Sequence, residues 1–137
     1  MNKLYARSVF LVDDARRALR FYTQQLGFSL DWTEMGLGAD DPRMAVFQVS
    51  LLGFELIVNQ ADEHTRDRVG RGRLFIGVED EQSEALRRHL AATGLPTQRI
   101  DWGRPTLVVK DLDANELFFW LPRDDFTGLD TVASSID

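Results

Sequence analysis

Cysteine is absent from the 137-residue sequence. Its absence excludes disulfides, thiolate metal sites and cysteine nucleophiles. A chain without cysteine suits a reducing compartment, so we expect a cytoplasmic protein. Any chemistry must come from other side chains.

Long apolar runs and an excess of positive charge are also missing. No apolar stretch approaches the ~20 residues of a membrane span, and the first residues lack the pattern of a secretory leader. Sixteen basic residues against twenty-two acidic ones give a net charge of −6, which would repel a nucleic acid backbone. We therefore expect neither a membrane nor a nucleic acid partner.

The segment RSVFLVDD at residues 7–14 has a near copy in RLFIGVED at residues 73–80. Each copy begins with arginine, alternates as a strand does, and is followed by a helical stripe. The helices are predicted over 15–27 and 81–94, with Asp14 and Asp80 as N-caps and Gly27 and Gly94 at the ends. The repeat therefore includes a strand and a helix.

Three strand-like runs separated by turn signals follow each helix. Each half of the chain is thus predicted to be a β-α-β-β-β module within one domain, 1–137, long enough to bury a core. The predicted parts are module one at about 4–60, a charged linker at about 61–71, module two at about 72–122 and a polar tail at 123–137. The tail is expected on the surface, with Phe126 and Leu129 as the residues that could dock it.

Two longer segments make the pattern more specific: FYTQQLGFSLDW at residues 21–32 and WGRPTLVVKDLDANELFFW at residues 102–120. They are similar to the FY-x3-LGF helix end and to the W-G pair and D-P-D-G-N turn of the vicinal oxygen chelate superfamily, which includes glyoxalase, bleomycin resistance proteins and extradiol dioxygenases. The resemblance covers about residues 4–122. It implies an α+β fold in which two tandem modules form a cup-shaped mixed sheet. Leu112 and Ala114 depart from the turn pattern, so Asn115 is predicted to take its positive-φ position.

Metal-binding members of this superfamily place ligands near the opening of each module's first strand and in its last strand. By register these positions fall on Arg7, Arg73, Glu55 and Phe118, unless a shift of two residues brings in Glu116. A guanidinium stays protonated and offers only donors, so this set predicts no metal and no cofactor. The two histidines lie elsewhere, His64 in the linker and His89 in the second helix.

The two strand-opening arginines have two interpretations. In one, Arg7 and Arg73 pair with acids such as Glu55 and have no role in binding. In the other, they bind an anionic or carbonyl-bearing ligand with forked hydrogen bonds, or hold Glu55 in place.

Aromatic residues are concentrated in a few strands, where side chains alternate between faces. Phe118 and Trp120 share one face and Phe119 takes the other, so Phe119 is predicted to be core. Trp32, Trp102, Phe118 and Phe47 are the candidate ligand-binding aromatics, because bleomycin resistance proteins, metal-free relatives, hold flat drug groups between such rings. For Trp32 and Trp102 a dimer interface is an equal alternative.

Three functions compete. The favoured hypothesis is a metal-free binding protein of the bleomycin-resistance type, a homodimer that sequesters a small, partly aromatic molecule; the acidic composition would suit a cationic one. The second is a glyoxalase-like lyase or dioxygenase relative with Glu55 as catalytic residue. The third is a structural descendant that keeps only the fold.

Overall fold

The computed structural model describes residues 5–103, 105–122 and 129–133, which form nine strands and two α-helices. In chain order they are β1 (Ser8–Val12), α1 (Ala15–Arg20), β2 (Ser29–Thr33), β3 (Val46–Leu51), β4 (Phe54–Gln60), β5 (Arg73–Gly77), α2 (Asp80–Thr93), β6 (Pro96–Asp101), β7 (Pro105–Lys110), β8 (Glu116–Trp120) and β9 (Asp130–Ala133). A π-helical turn, Phe21–Gln25, extends α1, and short 3-10 turns occupy Glu34–Gly36 and Arg66–Arg68.

The strands form two mixed sheets, one from each module. Sheet A has the order β1-β4-β3-β2 and sheet B the order β5-β8-β7-β6-β9. In both sheets the first strand of the module pairs in parallel with the last strand of the β-α-β-β-β unit, and the other pairs within the unit are antiparallel. The predicted α+β architecture of two tandem modules is confirmed.

The helix ends follow the predicted signals with one correction. The Asp14 side chain accepts a hydrogen bond from the backbone N–H of Arg17 at 3.2 Å, as an N-cap does. At α2 the N-cap residue is Glu79 and not Asp80. The Glu79 N–H donates a hydrogen bond to the Gln82 side-chain oxygen at 3.2 Å, as in a capping box. Gly94 ends this helix with a left-handed φ of 69°.

Both modules contribute to one hydrophobic core. Phe10, Val58 and Phe47 enter it from sheet A, and Leu117 and Phe119 enter it from sheet B. Because side chains alternate along a strand, each sheet has a second face that points away from this core. We call these second faces open face A and open face B.

The turn between β7 and β8 joins the modules through buried polar groups. The buried Asn115 side chain donates to the Leu11 carbonyl oxygen at 3.0 Å and accepts from the Gly72 N–H at 2.8 Å. The prediction that Asn115 has positive φ is wrong: Ala114 takes that conformation, with φ of 75°. Asn115 is instead held by its hydrogen bonds across the module boundary.

The predicted linker is attached to the first module over its last residues. The Gly70 N–H donates to the Leu11 carbonyl oxygen at 3.3 Å, and a Cβ at Gly72 would lie 2.5 Å from the Phe10 ring. Residues 70–72 therefore lie against β1.

The part of the tail that is described does not lie free on the surface. Leu129 packs against the core, and β9 pairs in parallel with β6 at the edge of sheet B. Phe126 lies outside the described residues. Among the described helices, none has the length and apolarity that crossing a membrane would require.

Candidate functional site

Each module opens with an arginine that is ion-paired to a glutamate on its last strand. Arg7 Nε lies 3.1 Å from Glu55 Oε2, and Arg73 Nε lies 3.0 Å from Glu116 Oε1. Arg73 and Glu116 are cross-strand partners, while Arg7 precedes the pair formed by Ser8 and Leu56. The counterpart of Glu55 in the second module is therefore Glu116, which is the second of the two registers that the sequence allowed.

Open face A carries a continuous chain of polar side chains. Arg7 Nε also donates to Gln48 Oε1 at 3.0 Å, Gln48 Nε2 donates to Asp31 Oδ2 at 2.9 Å, and Ser50 Oγ donates to Asp31 Oδ1 at 2.9 Å. A register shift between Leu30 and Trp32 brings the Asp31 carboxylate to these two partners. The chain holds Arg7 between a glutamate and a glutamine.

Open face B carries aromatic rings. Trp102 stacks on Phe118 with ring centroids 5.3 Å apart and planes 26° apart, and Phe75 lies 5.9 Å from Trp102 and 5.6 Å from Trp120. Phe118 is buried beneath Trp102, and the Arg73 guanidinium carbon lies 4.6 Å from its ring centroid. Trp102 and Phe75 are 45% and 49% exposed, so their rings are the accessible part of this cluster.

Two of the predicted aromatics have positions that differ from this cluster. Trp32 is 42% exposed and pairs with Gln48, on open face A. Phe47 is fully buried in the main core, so its prediction as a ligand-binding residue is wrong. Phe47 and Val49 point to the core side of β3, and Gln48 between them points to the other side. Phe119 lies in the core, as predicted.

Residues of both modules line one cavity. It has a volume of about 430 Å³, and its lining includes Glu55 from sheet A and Phe75 from sheet B. A second cavity, of about 440 Å³, is lined by Val9 and Leu11 of β1 and by Arg68, Arg71 and Gly72. A third, of about 540 Å³, lies at the end of sheet B beside Phe21 and Lys110.

The side chains at the family's metal positions do not suit a divalent cation. Each glutamate already pairs with a guanidinium, which would repel the ion, and a metal site needs about three converging lone-pair donors. In the described residues no group of three or more acidic, histidine or cysteine side chains is placed to hold one. His64 lies in an exposed turn, where its N–H donates to Asp62, and His89 Nε2 lies 3.1 Å from the Gln25 carbonyl oxygen.

Sequence reasoning missed three residues of the open faces. Phe75 follows Arg73 by two positions, so the period-two rule could have placed it on the same face. Gln48 alternates with Phe47 and Val49 and could have been found in the same way. Asp31 could not have been found by alternation, because only the register shift in β2 turns its carboxylate toward Gln48.

Comparison with known proteins agrees with this architecture. The chain superposes on the bleomycin-binding protein of Streptomyces verticillus complexed with copper(II)-bleomycin, with a TM-score of 0.66, 17% identity and coverage of 90% of this chain and 99% of that one. It also superposes on an antibiotic-binding protein from Streptomyces sp. CB03234, with a TM-score of 0.56, 21% identity and coverage of 87% and 97%. For lactoylglutathione lyase from Agrobacterium tumefaciens the TM-score is 0.58, with 15% identity and coverage of 86% and 92%.

At these identities the superpositions establish a shared fold and not a shared ligand. A search of curated protein sequences finds no match. The family model described as Glyoxalase/Bleomycin resistance protein/Dioxygenase superfamily matches residues 5–119, most of the chain. The chain therefore belongs to the glyoxalase/bleomycin resistance protein/dioxygenase superfamily.

Proposed function

We propose that this protein is a metal-free binding protein that sequesters a small, partly aromatic molecule on its two open faces. The observation that carries the proposal is the half-exposed Trp102 ring stacked on buried Phe118, with Phe75 beside it. Such rings offer a flat apolar surface to a planar group, and each aromatic pair adds about 0.5–1.5 kcal/mol beyond the burial of area.

The polar chain on open face A complements these rings. Arg7, Gln48 and Asp31 are fixed by one another, so their remaining donors and acceptors are oriented before a ligand arrives. Preorganised groups lose less conformational entropy on binding. The proposed ligand therefore has a planar apolar part against open face B and a hydrogen-bonding part against open face A.

The geometry supports binding better than catalysis by Glu55. A general base needs a carboxylate free to take a proton, whereas Arg7 holds Glu55 as an ion pair at 3.1 Å. We therefore assign Arg7 and Arg73 to positioning and ligand recognition, and Glu55 and Glu116 to holding the arginines.

Titration with two probes that carry aromatic rings tests the proposal. Copper(II)-bleomycin represents the antibiotic class that the Streptomyces verticillus neighbour binds, and N-phenyl-naphthylamine is an uncharged flat dye. We expect at least one of them to bind and quench tryptophan fluorescence, and Trp102→Ala to weaken that binding about tenfold because it removes the stacked ring. Met35→Ala removes another large exposed side chain outside the aromatic cluster and should leave affinity unchanged. If neither probe bound, or if both variants behaved alike, the proposal would fail.

We also propose that the protein acts as a homodimer in the cytoplasm. Leu30 and Trp32 of sheet A are more than 40% exposed and lie outside the aromatic cluster, and exposed aromatics are enriched at interfaces. Sedimentation equilibrium should give twice the chain mass; a monomer at micromolar concentration would remove this part of the proposal.

A further inference from the structure

The linker before β5 carries three arginines in six residues, Arg66, Arg68 and Arg71, within an acidic protein. Arg68 and Arg71 line the cavity of about 440 Å³ together with Val9 and Leu11 of open face A. Val9 is 52% exposed, so this cavity combines an accessible apolar wall with two guanidinium groups.

These two arginines differ from most others in the chain. In the described residues, at least seven arginines lie no more than 3.9 Å from a carboxylate oxygen: Arg7, Arg17, Arg20, Arg43, Arg73, Arg87 and Arg88. Arg68 and Arg71 have no such partner among the described residues, although acidic residues outnumber basic ones by six. The cavity therefore keeps two positive charges that no carboxylate of the described residues neutralises.

The basic segment is also fixed in place. Arg71 Nε donates to the Asp67 carbonyl oxygen at 2.9 Å, which orients the guanidinium and leaves its terminal nitrogens available. On either side, Gly70 donates to Leu11, and the Gly72 carbonyl oxygen accepts from the Glu116 N–H at 2.9 Å. Guanidiniums held on an anchored segment lose less entropy on binding than those on a free loop.

From these observations we propose that the cavity formed by Arg68, Arg71, Val9 and Leu11 binds the anionic group of an apolar ligand, such as a carboxylate or sulfonate on an aromatic body. The inference rests on the proposed function, since it names the charge of the molecule that the open faces take. Guanidiniums form forked hydrogen bonds to such oxyanions, and the neighbouring apolar wall takes the body of the ligand. The ligand is thus anionic, contrary to the cationic one that the acidic composition suggested.

Two dyes of nearly equal shape separate charge from apolar binding. Anilinonaphthalene sulfonate carries one negative charge, and N-phenyl-naphthylamine is uncharged. For the Arg68→Gln/Arg71→Gln double variant we expect at least a tenfold loss of affinity for the sulfonate, about what one charge-assisted hydrogen bond provides, and less than a twofold change for the uncharged dye. Added salt should weaken binding of the sulfonate and spare the uncharged dye.

Arg66→Gln is the matched control, because Arg66 is exposed in the same linker and does not line the cavity. It should leave both affinities unchanged. If both dyes bound and the double variant bound the sulfonate as well as the wild type, the anionic site would be disproved while the proposed binding function survived. If Arg66→Gln and the double variant lost the same affinity for the sulfonate, the effect would come from the net charge of the protein, and the site would also be disproved. Binding of neither dye would disprove the anionic site, and if copper(II)-bleomycin did not bind either, the proposed function would fail with it.

Discussion

The carboxylate of Asp111 is the acceptor that joins residues of both modules. Tyr22, from the helical segment of module one, donates its hydroxyl to Asp111 Oδ2 at 2.8 Å. Asn115 Nδ2 donates to the same oxygen at 2.9 Å, and the Asp113 and Asn115 N–H groups donate to Oδ1. The carboxylate is buried and satisfied by four donors, so removing one of them should be costly.

Tyr22→Phe is predicted to destabilise the protein at neutral pH by about 1.5–3 kcal/mol, the range for a hydrogen bond to a charged group. The destabilisation caused by Tyr22→Phe, relative to the wild type, should become smaller above about pH 10. Burial, and then the negative charge of Asp111, raise the pKa of Tyr22 well above its usual value of 10.0 in the folded chain. As the pH rises above about 10, the Tyr22 hydroxyl loses its proton in the unfolded chain before it does so in the folded one. The unfolding free energy of the wild type therefore falls by up to about 1.4 kcal/mol per pH unit in this range. The phenylalanine variant has no such hydroxyl and does not show this loss.

Urea unfolding at a series of pH values up to about 11 measures how the difference in unfolding free energy between the wild type and Tyr22→Phe changes with pH. Tyr5→Phe, at an exposed tyrosine, serves as the control and should leave stability unchanged. A gap between wild type and Tyr22→Phe that stayed constant across the whole series would contradict the assignment.

Among the elements, the linker shows how a charged, loop-like sequence can be tightly placed. Gly70 has φ of 75°, and a Cβ added there would lie 2.0 Å from the Asp113 carbonyl oxygen. Gly70 therefore lies close to the backbone of the β7–β8 turn, and its N–H donates to Leu11 of β1. The sequence marks the segment only as polar and charged, a pattern that is typical of a simple connection.

Gly70→Ala should therefore destabilise the protein by at least about 2 kcal/mol, because it combines a left-handed conformation with a backbone clash. Gly38→Ala is the matched control, since a Cβ at Gly38 meets nothing within 4 Å and its φ is not positive. That variant should stay within about 0.5 kcal/mol of the wild type. Thermal and urea unfolding of both variants measure the difference. Equal stabilities would contradict the prediction, since they would mean that the backbone near residue 70 can move to accommodate a Cβ at little cost.

The helices and strands show how far the sequence could predict the elements. Alternation and helical stripes identified the β-α-β-β-β unit twice, and alternation separated Phe118 from Phe119 correctly. Alternation does not say which face of a strand meets the core, because that depends on where the helix packs. Phe47 was misplaced for this reason. The Glu79 cap and strand β9 depend on tertiary contacts that a local pattern does not contain.

For the whole molecule, the duplicated module makes two equivalent positions where this superfamily places metal ligands, and the chain fills each with an arginine and glutamate pair. The sequence predicted the arginines and Glu55. It left Glu116 as an alternative, because Phe118 lies on the same strand face two residues away, and only the pairing of β5 with β8 distinguishes them. We therefore propose that in this chain the ion pairs occupy the positions of the metal ligands.

Metal content measures this central claim most directly. Untagged protein, purified without chelator and then incubated with zinc, nickel, manganese or ferrous iron, would be desalted and submitted to elemental analysis. The paired guanidiniums predict no bound metal above background, because they neutralise the glutamates and repel cations. A stoichiometric amount of any of these ions, lost on substitution of Glu55 or Glu116 by glutamine, would contradict the account and point to the lyase or dioxygenase chemistry of the family.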